Sequence, residues 1–158
     1  MGTVGLSAQA QEIRYDFTAL SSFEIGDPPL SYTGSFSITL PGVPTGWPHY
    51  DASQTSGCSV QPSVGPATSC AFVEFTQTTV PALHDTIFFG VDPSRSLAYY
   101  FPSGAFSTPG TYDTVEFGAS QAGRLVVTAV PEPATWLAML LGLCVVGGLA
   151  VHRRRLRS

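Results

Sequence analysis

Apolar and polar residues alternate strictly through Ile13-Arg14-Tyr15-Asp16-Phe17-Thr18-Ala19, which puts Ile13, Tyr15, Phe17 and Ala19 on one face of a half-buried strand. The same period of two returns in Tyr32-Thr33-Gly34-Ser35-Phe36-Ser37-Ile38-Thr39-Leu40, with Phe36, Ile38 and Leu40 inward and Ser and Thr outward. Two strands that each carry one apolar face predict an antiparallel sheet, and Gly26-Asp27-Pro28-Pro29 between them reads as a turn. Strand patterns follow over Cys70 to Thr76, Thr86 to Val91, Ser96 to Phe101, Gly110 to Phe117 and Arg124 to Val130. Breaks at Pro81, Asp92-Pro93, Pro102-Ser103-Gly104 and Gly118 to Gly123 separate them. Short strands with turn signals between them, and no amphipathic helix, predict an all-β, small antiparallel β-sandwich-like domain.

The pattern changes at the carboxyl end. Pro131-Glu132-Pro133 is followed by residues without a formal charge from Ala134 to Val151, then by His152-Arg153-Arg154-Arg155-Leu156-Arg157-Ser158. At about 1.5 Å per residue such a run makes a helix of roughly 27 Å, just short of a ~30 Å hydrocarbon core. A single C-terminal transmembrane helix is therefore expected. Arg153, Arg154, Arg155 and Arg157 form its cytoplasmic anchor, which leaves everything before Pro131 outside. Two prolines fix φ and delay helix entry, so Pro131 to Pro133 should stand as an extended strip at the outer surface.

Three segments follow from this reading: residues 1–11, a probable signal-peptide remnant by its small residues Ala8 and Ala10; residues 12–130, a β-rich exported domain; and residues 131–158, the terminal signal. The first segment lacks a basic start and a full apolar core, so the true start is expected upstream.

The formal charge of −4 hides an asymmetry: residues 1–130 hold ten acids against Arg14, Arg95 and Arg124. Such a body repels phosphate backbones, and nucleic-acid binding is not expected. Neither lysine nor asparagine occurs, which removes Schiff-base chemistry, Lys-Asn cross-links and Asn-linked glycosylation.

Residues Pro41 to Ser69 are rich in Pro, Gly, Ser and Thr and read as one long loop, which a small domain has to tie down. Cys58 and Cys70 are the candidates for that tie, as a disulfide that forms in an exported protein. Cys144 lies inside the predicted helix as an apolar filler.

Val130-Pro131-Glu132-Pro133-Ala134-Thr135-Trp136, a glycine-containing apolar helix and an arginine cluster, in that order, resemble the PEP-CTERM sorting signal of Gram-negative bacteria, over about the last 29 residues. That resemblance implies export and processing by an exosortase, a membrane enzyme that recognises Pro131, Glu132 and Pro133. It further implies removal of the helix and tail, then delivery to the cell surface or medium, often beside exopolysaccharide. It implies no activity for residues 12–130.

Recognised hydrolase, nucleotide and metal motifs are absent from the chain. His49 and the His84-Asp85 pair could meet as metal ligands or as a base with its orienter, but isolated loop histidines are usually plain surface residues. Asp113 and Glu116, three apart on a strand, point to opposite faces and make no glycosidase pair. Trp47 and Tyr50 offer flat faces for stacking on a sugar, the alternative being that Trp47 closes the end of the core. Tyr99-Tyr100-Phe101 reads as strand filling, and Ala138, Gly142, Gly147 and Gly148 would let another helix approach closely. The expectation is a non-enzymatic exported protein without cofactor or metal, whose partners are an exosortase-like enzyme, the lipid bilayer and exopolysaccharide. The alternatives are a permanently anchored bitopic periplasmic protein and a small secreted hydrolase or carbohydrate-binding module.

Overall fold

The computed structural model describes residues 11–21, 30–78, 83–115 and 121–131. The alternating segments become strands: β1 (Ile13–Ala19), β2 (Tyr32–Leu40), β6 (Phe72–Thr78), β7 (His84–Asp92), β8 (Arg95–Pro102), β9 (Gly110–Asp113) and β10 (Gly123–Ala129). The segment expected to be a loop from Pro41 to Ser69 holds three more, β3 (His49–Asp51), β4 (Ser56–Pro62) and β5 (Thr68–Ser69), with a 3-10 turn at Ala52–Gln54. The correction has a physical reason. β4 buries one side chain fully, Val60, and is held by backbone pairing to β2, so it carries no periodic apolar signal.

Two antiparallel sheets result, one with the order β5-β4-β2-β1-β10-β9 and the other β3-β6-β7-β8. Their inner faces meet through aromatic rings: Phe17 of β1 packs against Phe89 at 5.7 Å and Tyr99 at 4.9 Å, and Tyr15 packs against Phe75 at 5.3 Å. Each such side chain, removed from water, contributes about 1.5–3 kcal/mol of transfer free energy. The all-β sandwich reading thus holds for the described residues.

The buried carboxylate of Asp85 and the hydroxyl of Tyr15 are satisfied. Asp85, fully buried, accepts from the Phe106 amide at 2.8 Å and from the Gln77 side-chain amide at 3.0 Å, and Tyr15 donates to the Phe106 carbonyl at 2.8 Å. Those bonds fold the segment after β8 against the core.

Both ends of the domain lie together. β10 sits between β1 and β9, Ile13 is paired with Ala129, and the Val130 amide donates to the Glu12 carbonyl at 2.8 Å. Pro131 follows at once and is exposed. Among the described residues no helix is long and apolar enough to cross a membrane, and the helix expected over residues 134–151 lies outside them. So do most of the leader segment, the Gly26–Pro29 turn, Pro81 and Glu116.

Candidate functional site

An aromatic cluster occupies the outer face of the four-stranded sheet. Strand register aligns His49 of β3 with Glu74 of β6, and Glu74 with Phe88 of β7. Alternation along β3 turns His49 and Asp51 outward and Tyr50 inward. Gly46, at φ +76°, makes the turn that lays Trp47 back over the sheet, a conformation costly for residues with a Cβ.

Trp47 stacks on Phe88 with ring centroids 5.6 Å apart and planes 17° from parallel. Beside it, His49 stacks on Phe72 at 5.0 Å and 29°. Phe72 in turn lies on β7 at Gly90, where an added Cβ would come within 2.6 Å of the ring. Glu74 ties the two stacks together. Its Oε2 accepts from the Trp47 indole Nε1–H at 2.8 Å, and its Oε1 lies 2.8 Å from His49 Nδ1. Asp51 Oδ1 is 3.5 Å from the other ring nitrogen of His49.

The hydrogen bond to Glu74, helped by Asp51 and opposed by partial desolvation, raises the His49 pKa above its ordinary 6.5. Trp47 nevertheless remains 62% exposed. One face of the indole rests on Phe88, and the other is open to water with its N–H already occupied.

Tyr50, paired with Trp47 in the sequence reading, is not part of this surface. It packs edge-on against the core residue Phe75 at 5.9 Å and lines a recess with Leu40, Pro41, Val43, Pro44 and Pro48. Nor does Trp47 close the end of the core, because it lies on the outside of the sheet. His49 and His84 are kept apart: Phe88, level with His49, is four residues from His84 along β7, about 13 Å of strand. No group of three metal-binding side chains occurs among the described residues. Tyr99 and Phe101 are buried strand residues, and burial raises the Tyr99 pKa. Glu74, Phe72 and Phe88 escaped the sequence reading, although alternation in the two strands that carry them put them opposite Val73, Phe75 and Phe89.

A disulfide joins Cys58 of β4 to Cys70, with Cα atoms 5.5 Å apart. Cys70 stands where the chain leaves β5 in one sheet for β6 in the other, so the bond pins the crossover.

Of the terminal signal the structure describes Pro131; Glu132, Pro133, Arg153, Arg154, Arg155 and Arg157 lie outside the described residues. Residues 129–155 match the family model of the PEP-CTERM protein-sorting motif, a segment of the chain. That motif supports an exported protein handled by an exosortase-like membrane enzyme. No curated protein and no solved structure matches the chain.

Proposed function

We propose that the chain is non-enzymatic cargo delivered to the cell surface or the medium, with residues 12–130 as the exported body and residues 131–158 as a transient anchor and address. In this reading the body is held outside by a helix over residues 134–151, with Arg153, Arg154, Arg155 and Arg157 in the cytoplasm. An exosortase-like enzyme then grips Pro131, Glu132 and Pro133 and separates body from anchor.

The observation that carries the proposal is the motif match over residues 129–155, which begins on the last residue of β10. β10 is hydrogen-bonded on both sides, to β1 and to β9, so a peptidase would meet its first unpaired backbone at Pro131. Prolines at 131 and 133 fix φ and disfavour helix, so in this reading the strip is expected to be extended, as a peptidase cleft requires.

The test is deletion of residues 131–133, followed by fractionation and mass spectrometry of the carboxyl end. Wild-type chain should reach the surface or medium without peptides from residues 137–157, and the deletion variant should stay in the membrane fraction. Wild-type chain that keeps those peptides in the extracellular fraction would overturn the reading. Uncleaved chain in the inner membrane would favour the permanently anchored alternative.

A further inference from the structure

The Trp47 cluster has a use that does not depend on how the chain is sorted. We infer that the outer face of the four-stranded sheet is a binding platform for a neutral saccharide, which stacks the C–H face of a pyranose ring on the open face of Trp47 and donates hydroxyls to Glu74 and Asp51.

The geometry argues for a ligand that uses a face rather than an N–H. Trp47 is 62% exposed, yet its orientation is fixed twice, by Phe88 beneath it and by Glu74 at its nitrogen. A large apolar ring held rigid in water loses little further freedom when a partner arrives, which is the condition for a preorganised stacking surface. Each Glu74 oxygen accepts one bond within the cluster and keeps a lone pair, and its side chain is still 23% exposed. Asp51, at 73%, is open to a hydroxyl.

Charge selects the chemical class. The platform holds no arginine, and each arginine among the described residues is paired with an acid, Arg14 with Asp16, Arg95 with Asp92 and Arg124 with Asp113. An anionic glycan would therefore meet carboxylates and no free cation. A cationic ligand would find both carboxylates already facing the His49 ring, with Glu74 also engaged by the Trp47 N–H. What remains is an uncharged ring bearing donors, and that describes a hexose.

The test uses the full chain in a polyoxyethylene detergent, which has no sugar headgroup to compete. A glycan array should show saturable binding to neutral oligosaccharides and none to uronic-acid glycans. Affinity electrophoresis with a responding glycan should then show Trp47→Ala and Glu74→Ala weakened by at least about tenfold, roughly 1.4 kcal/mol. Tyr50→Phe should bind as wild type, because its ring faces the core. In Trp136→Phe, where Trp47 is the remaining indole, emission should change on adding the glycan, a readout that needs no change at the platform. Silence across the neutral glycans overturns the inference. So does binding that Trp47→Ala leaves intact, a preference for uronic acids, or a saturable response to tetramethylammonium in place of sugar.

Discussion

Reduction of the Cys58–Cys70 disulfide should lower the melting temperature of the β domain by about 12 °C. The two cysteines are 12 residues apart, and closing a loop of that length in the denatured chain stabilises the native state by about 3 kcal/mol on the chain-entropy account. A folded body of roughly 120 residues unfolds with an entropy near 0.25 kcal/mol/K, so 3 kcal/mol corresponds to ~12 °C. Reduction is cleaner than substitution, because Cys70 is buried and a free thiol leaves its packing almost unchanged. The assay is a thermal melt followed by circular dichroism, with and without reductant, beside a Cys58→Ala/Cys70→Ala variant in reductant alone. The double variant should melt slightly below the reduced wild type, by the value of the lost sulfur contacts. A fall under about 3 °C on reduction would refute the reasoning, since β4 and β5 would then be holding that crossover without the covalent bond. Protein made in a reducing cytosol should behave as the reduced form, which ties the domain's stability to the export step.

Further outcomes follow from local geometry. Gly34→Ala should destabilise the domain by about 1–3 kcal/mol in urea denaturation, because the new methyl would lie 2.3 Å from the Ser59 carbonyl oxygen and 2.8 Å from the Phe89 ring. Gly42→Ala, with nothing within 4 Å, should be close to neutral. Glu74→Gln should lower the His49 pKa toward 6.5, read from its imidazole resonance in an NMR titration. The native His49 pKa is raised, so the stabilisation from its pairing with Glu74 is fully present below about pH 6.5 and fades as pH climbs through the raised value. Wild type and Glu74→Gln should therefore converge in stability on the alkaline side, and a gap that widens there would contradict the assignment.

Strands whose apolar side chains recur every second residue were legible in the sequence, because one face is buried and the other is wet. β1, β2 and β10 are of this kind, with Tyr15, Phe17, Phe36, Ile38, Leu125 and Val127 all inside. β3 to β5 were not legible: β3 and β5 are short edge strands, and β4, between β5 and β2, buries Val60 alone, so all three are held by backbone bonds that any side chain can make. The same gap hid the platform. Trp47 and Tyr50 look like partners when the stretch is taken for a loop, whereas a strand through His49, Tyr50 and Asp51 sends Tyr50 to the other side. Glu74 lies 25 residues from His49 and meets it through strand register alone. The terminal signal was read from order and composition within one contiguous stretch, and no tertiary contact was needed to see it.

The position of β10 sets a timetable for delivery. Because the final strand lies between β1 and β9, a chain threaded outward from its amino end leaves the flank of β1 open until residue 129 has emerged. Exposed ladder groups of that sort attract other chains. In the topology proposed above, that flank stays open until just before the proposed membrane stop over residues 134–151 would arrive. On that proposal, sealing the body and presenting its label to the membrane become one event.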